Sequence, residues 1–257
     1  MKKNMLQIVQ SMLIGVNEMN SYDKDGKCII HGDCLDEIPK LNNDSIQLVV
    51  TSPHYFSAEK KYQRGTGFHY THYVGEPIFD ILNFMEALKP KMKDRGIVCL
   101  NLGWSSSQGG FLRLCEILLN IARRTGWFMP DIVFWEKPNP IPTQGRFTNC
   151  FEVITIWSKY PDYEFQKKVT YLKNIINASV KQGTGNTSKP FPNQIPEFFI
   201  DVFTKENDVV LDPFSGSGTV GLVAKKMNRR YIGIDIELRN IEYQKTILSQ
   251  KVIENYE

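Results

Sequence analysis

Apolar residues recur along the chain in two rhythms that alternate with each other. Compact β-rich runs stand at 28–31, 46–51, 97–100, 131–135, 151–157, 209–211 and 231–236. Between them, helical spacing of apolar positions predicts helices after Asp33, near 78–88, over 111–124, over 195–203, over 219–227 and at the C-terminus. Residues 1–26 read as a loosely amphipathic helix (Met5, Ile8, Val9, Met12, Leu13, Val16) followed by the polar turn Asp23-Lys24-Asp25-Gly26. Strands alternating with helices predict an α/β fold, a doubly wound and mostly parallel sheet. The stretch 159–193 loses its periodicity, is rich in Lys, Asn, Gly and Thr, and reads as an exposed insertion.

Composition narrows the class without naming a function. The 257 residues fit one domain, 1–257, and the 42% hydrophobic and 23% charged content is that of a globular protein. A net charge of +3 is compatible with a polyanionic partner and does not demand one. The partly apolar N-terminus is interrupted by Gln7, Gln10 and Asn17, so neither a signal peptide nor a membrane span is expected, and the expected location is cytoplasmic. Five scattered cysteines form no CxxC pair; Cys28, Cys99 and Cys115 read as small core residues. His69 and His72 lie among Tyr62, Phe68, Tyr70 and Tyr73 without further ligands, so no metal site is expected.

Two motifs carry chemistry. In the first, Val209-Val210-Leu211-Asp212-Pro213-Phe214-Ser215-Gly216-Ser217-Gly218-Thr219-Val220-Gly221, a strand runs into a glycine turn that opens a helix. The glycines satisfy G-x-G-x-x-G, and Asp235 follows at the end of the next strand, placed to accept hydrogen bonds from a ribose diol. This pattern alone does not separate a nicotinamide cofactor from S-adenosylmethionine. Its arrival after residue 200 is unlike a typical dinucleotide-binding domain, which begins with this strand. The second motif is Leu48-Val49-Val50-Thr51-Ser52-Pro53-His54-Tyr55-Phe56, a hydrophobic strand ending in a polar residue, a proline and two aromatics.

Residues 51–56 resemble the (Asp/Asn/Ser)-Pro-Pro-(Tyr/Phe) motif of the DNA amino-methyltransferases, and 211–219 resemble the cofactor loop of that family. The resemblance extends through His31-Gly32-Asp33-Cys34-Leu35, Leu100-Asn101-Leu102-Gly103, the run from Trp135 to Pro142, Arg146-Phe147-Thr148 and Pro190-Phe191-Pro192. The catalytic motif precedes the cofactor loop, the order of the family's β group, which implies a circularly permuted methyltransferase fold. One departure is His54, which stands where the family has a second proline.

The resemblance implies S-adenosylmethionine as cofactor, held by Asp212, Phe214, Gly216, Gly218 and Asp235. It further places Asp33 near the adenine, and Pro190 and Phe191 near the methionine end. An exocyclic amino nitrogen is a poor nucleophile because its lone pair is delocalised into the ring. Ser52 Oγ and the Pro53 carbonyl supply two acceptors that draw it towards a tetrahedral shape, and Tyr55 stacks on the base. A base in a duplex reaches such a pocket only when flipped out. The expected partner is double-stranded DNA, with room for a cognate restriction endonuclease on the same site, and the enzyme is a monomer or homodimer. Serine in the first position, preceded by Thr51, together with the segment from Trp135 to Pro142, resembles the branch that modifies N4 of cytosine. N6 of adenine is the alternative, and an RNA amino group a more remote one.

Between residues 159 and 189 six lysines face only Asp162 and Glu164, which makes Lys167, Lys168 and Lys173 candidate phosphate contacts in a target-recognition insertion. The loop 57–75 offers Lys60, Lys61 and Arg64, with His54 at its edge. Competing functions fit less of the chain. A nicotinamide oxidoreductase leaves residues 52–55 unexplained, and a cytosine-C5 methyltransferase needs a Pro-Cys dipeptide that is absent. A small-molecule or RNA methyltransferase shares the cofactor loop, and a catalytically silent DNA-binding subunit has no use for both motifs.

Overall fold

The computed structural model describes residues 21–24, 27–53, 77–102, 110–140, 142, 144–145, 147–166, 171–180 and 190–249. Their strands are β1 (Ser21–Lys24), β2 (Lys27–His31), β3 (Ile46–Thr51), β4 (Met92–Leu102), β5 (Phe128–Glu136), β6 (Phe151–Ser158), β7 (Ile175–Asn177), β8 (Val209–Asp212) and β9 (Arg230–Asp235). They form one sheet in the order β1-β2-β9-β8-β3-β4-β6-β5-β7. The five neighbours β2, β9, β8, β3 and β4 run parallel, whereas β6 is antiparallel to both β4 and β5, and β1 is antiparallel to β2. The helices are α1 (Cys34–Glu37), α2 (Pro77–Leu88), α3 (Gly110–Thr125), α4 (Gln194–Phe203), α5 (Thr219–Lys226) and α6 (Leu238–Ser249).

Alternate residues of the central strands feed two separate cores, which is why the middle of β3, Leu48-Val49-Val50, is apolar at successive positions. Val49 joins Phe84, Met85, Leu114, Ile117 and Ile121 of α2 and α3 on one face. Leu48 and Val50 join Ile195, Phe199, Val220 and Ile241 of α4, α5 and α6 on the other. The result is a three-layer α/β/α sandwich, as the alternating pattern predicts. Among the described residues no helix is long and apolar enough to cross a membrane.

Three local expectations need correction. Ser21–Lys24 is a hairpin arm paired with β2 from Ser21↔Ile30 to Lys24↔Lys27, so Asp23 and Lys24 are strand residues rather than a turn. Cys115 is exposed, because the buried stripe of α3 falls on Leu114, Ile117, Leu118 and Ile121 and leaves position 115 about 100° off it. The insertion 159–193 is partly built into the body. Tyr163 and Phe165 pack edge-on and tilted against Phe203 at 5.8 and 5.7 Å, and β7 extends the sheet beside β5. The residues 1–20 and the loop 57–75 lie outside the described residues.

Candidate active site

Parallel strands bring their carboxyl ends to one edge of the sheet, and there the chain divides. From β8 it proceeds to β9 on one side, while the neighbouring β3 leads to β4 on the other. Such a switch point opens a crevice between adjacent loops. The two sequence motifs meet at this crevice, although they come from opposite ends of the chain. Thr51 Oγ1 donates to Asp212 Oδ1 at 2.7 Å, joining the end of the catalytic strand to the start of the glycine loop.

Asp212 is buried, and its Oδ1 also accepts from Phe214 N at 3.2 Å. Burial pushes this carboxyl from 3.8 up to about 7; the charge of Asp235 adds to the rise, and the bonds from Thr51 and Phe214 oppose it. The glycine turn that follows needs its glycines. Gly216 and Gly218 have φ of 49° and 76°, and a Cβ on Gly218 would stand 2.8 Å from Gln244 Cγ. Gly221 has a different role: a Cβ there would lie 2.6 Å from the ring of the buried Tyr231, so this glycine lets α5 lie close on β9.

Asp235 does more inside the protein than its position in the motif suggests. Its Oδ2 accepts from Gly216 N at 2.7 Å, and its Oδ1 accepts from Glu237 N at 2.8 Å and from Asn240 Nδ2 at 3.1 Å. The carboxylate therefore clamps the glycine turn to β9 and α6. From α6, Gln244 Nε2 also reaches Ser215 Oγ at 2.8 Å and the Gly216 carbonyl at 3.0 Å. Asp33 caps α1 through Leu35 N at 2.9 Å and remains half-exposed at the end of β2. Asp33, Asp235 and Asp212 thus stand on three adjacent strands along one edge. Such an edge suits a ligand that brings an ammonium, a sulfonium and ribose hydroxyls, the groups of S-adenosylmethionine.

On the other side of the crevice, Ser52 is half-buried and Pro53 buried directly after β3. Asn101, fully buried on β4, directs Nδ2 at Glu152 Oε2 (2.8 Å) and at Ser52 Oγ, at the long limit of 3.5 Å. Glu152, at the start of β6, is ion-paired with Lys137, whose ammonium also lies 5.4 Å from the centre of the Trp135 ring. These polar residues lack an assigned role in the sequence reading. A polar residue in an otherwise apolar buried run, as in Leu100-Asn101-Leu102, is the one signal that marks Asn101.

The remaining candidates are scattered. Phe214 is half-buried with its ring 5.8 Å from Phe84. Pro190 and Phe191 precede α4, and the Phe191 ring meets Trp135 edge-on at 6.2 Å, four strands from the glycine turn in the order of the sheet. Lys173 is exposed just ahead of β7. Lys159 is held at the opposite edge, 3.3 Å from Asp44 and 3.7 Å from Asp94, because antiparallel β6 carries it away from the crevice. Lys159 therefore lies away from the crevice. Tyr55, His54, Lys60, Lys61, Arg64, Lys167 and Lys168 lie outside the described residues.

A family model described as DNA methylase matches residues 46–246. The Type II methyltransferase M.MwoI of Methanothermobacter wolfeii is 30% identical over 230 residues, which are 86% of this chain and 33% of that protein, so the chain spans about a third of that relative's length. Among solved structures, the PvuII DNA methyltransferase (cytosine-N4-specific) superposes with a TM-score of 0.77 at 21% identity, covering 91% of this chain and 90% of that one. The M1.HpyAVI–SAM complex superposes with a TM-score of 0.62 at 23% identity, covering 86% and 98%. These structural likenesses establish the fold.

Proposed function

The chain belongs to the DNA methylase family, and we propose that it transfers a methyl group from S-adenosylmethionine to N4 of a cytosine flipped out of double-stranded DNA. The observation that carries this reading is the meeting of the Ser52-Pro53 strand end with the glycine turn through the Thr51–Asp212 hydrogen bond. A binding crevice and a pair of amino-group acceptors are thereby adjacent on one edge. The cytosine-N4 specificity of the PvuII enzyme, and serine rather than aspartate at position 52, support cytosine over adenine.

In this reading Asp33, Asp212, Phe214, Gly216, Gly218 and Asp235 hold the cofactor, with Pro190 and Phe191 bordering the site. When bound, the cofactor supplies an electrophilic methyl carbon on a sulfonium. The protein's part is chiefly positioning. Ser52 Oγ and the Pro53 carbonyl accept the two N–H bonds of the target amino group and localise its lone pair, and Tyr55 stacks on the base. Ser52 is too weak a base at neutral pH to abstract a proton, so its role is orientation. Once the nitrogen carries the methyl group, one of its N–H bonds gives its proton to solvent water, which restores a neutral amine. Lys60, Lys61, Arg64, Lys167, Lys168 and Lys173 contact phosphate, and His54 lies on the base side. A restriction endonuclease that cuts the same site is the matching partner, and the protein acts as a monomer or homodimer.

The test is to incubate the protein with DNA and cofactor, digest to nucleosides and analyse them by mass spectrometry. N4-methylcytosine is expected. N6-methyladenine in its place overturns the choice of base and keeps the enzyme class, whereas methylation of RNA with none of duplex DNA overturns the substrate.

A further inference from the structure

Three polar side chains behind Ser52 form a line across three neighbouring strands. Asn101 on β4 is fully buried, Glu152 is the second residue of β6, and Lys137 directly follows the end of β5. A carboxylate only accepts hydrogen bonds, so Glu152 Oε2 at 2.8 Å decides which end of the Asn101 amide faces it. That end is Nδ2, and the same nitrogen faces Ser52 Oγ at 3.5 Å. Lys137 in turn fixes Glu152 through its other oxygen, Oε1. Lys137 and Glu152 also flank the two roots of the loop 138–150, which Lys137 N closes by donating to the Cys150 carbonyl at 2.7 Å.

We infer that Glu152 is a positioning residue for Ser52, acting through Asn101, and that Lys137 couples this brace to the root of the 138–150 loop. The inference rests on the proposed role of Ser52 as an acceptor for the target amino group. With an N–H directed at Ser52 Oγ from behind, the serine's own hydrogen cannot turn that way. One lone pair is occupied by Asn101, which restricts the serine rotor. If Glu152 loses its charge, the Asn101 amide can turn over and present Oδ1. Ser52 then donates to Asn101, and its orientation for the substrate changes.

Two measurements test this. In single-turnover methyl transfer, Glu152→Gln and Lys137→Met each lower kcat by roughly tenfold to a hundredfold, the scale of a misplaced reacting group, while KM for DNA and cofactor affinity stay within about threefold of wild type. The double variant is no slower than the slower single one, because both act through one chain of hydrogen bonds. In NMR, the Asn101 side-chain amide protons exchange slowly in the wild type and quickly in Glu152→Gln, a readout that needs no catalysis. Wild-type kcat in Glu152→Gln, additive losses, or an Asn101 amide that exchanges equally in both proteins overturns the brace. A fall in melting temperature and cofactor affinity that accounts for the loss of rate also overturns it, since that is the pattern of a structural residue. Methylation by the wild type tests the functional reading separately, and the ratio of variant to wild type holds whichever base is modified.

Discussion

Replacing Asp212 by asparagine keeps the shape of the side chain and removes its titration. The wild-type carboxyl is raised from 3.8 to about 7, first by burial and then by the charge of Asp235. Between those values the folded chain holds a proton that the unfolded chain has released. The native state therefore binds more protons, and stability falls as pH rises. The contribution is fully present below the unfolded value and is lost as pH passes through the folded one. Each pH unit well inside that window is worth about 1.4 kcal/mol and less near its ends, so from about pH 5 to about pH 7 wild type loses about 2 kcal/mol through this group. That is a large part of the ~5–15 kcal/mol that holds a domain folded. The asparagine of the variant does not titrate, so the stability of Asp212→Asn relative to wild type climbs by about 2 kcal/mol over the same range and levels off above roughly pH 8. Weaker acceptance from Thr51 and Phe214 moves the whole curve down by about 1–2 kcal/mol without changing its shape. Other titrating groups are common to both proteins and largely cancel in the difference. Urea unfolding of both, without cofactor, across this pH range reads the curve directly. A difference that is flat, or that falls with pH, refutes the reasoning and means that Asp212 stays ionised in the fold.

Gly221→Ala adds a Cβ 2.6 Å from the Tyr231 ring and destabilises the protein by about 1–3 kcal/mol, the scale of an overpacked core, seen as a lower melting temperature. Cofactor affinity in that variant, measured by calorimetry at a temperature where it remains folded, is retained, because Gly221 spaces α5 from β9 and does not form the cradle. Equal melting temperatures would show that the helix lifts off the strand freely. Neutralising Lys167, Lys168 and Lys173 together flattens the salt dependence of DNA binding by about one unit of slope for each phosphate no longer neutralised. An unchanged slope assigns these lysines to a solvated face.

Much of the fold was legible because its signals are local. The successive apolar residues Leu48, Val49 and Val50 of β3 mark a strand buried on both faces, and the glycine turn carries its own reason in the positive φ of Gly216 and Gly218. The two motifs could be read separately for the same cause, since each is a strand end with the loop that follows it. Local rhythm is blind to which strands become neighbours. That β3 lies beside β8, and so that Thr51 reaches Asp212 across 161 positions, is decided by packing the two apolar faces of the sheet under helices. β7 escaped notice because it has only three residues, and its support is tertiary: Trp135 Nε1 donates to the Ala178 carbonyl just beyond it at 2.7 Å. Asp235 was visible as an acid at a strand end, whereas its clamp on Gly216 was not, because the loop folds back only once β8 and β9 are paired. The line from Lys137 through Glu152 and Asn101 to Ser52 is the furthest from any sequence rule. It joins four chain segments, and it exists only because antiparallel β6 lies between β4 and β5 with its first residues at the carboxyl edge. The sequence by itself determined the elements and the chemistry of each strand end; the order of the strands decided which of those ends act together.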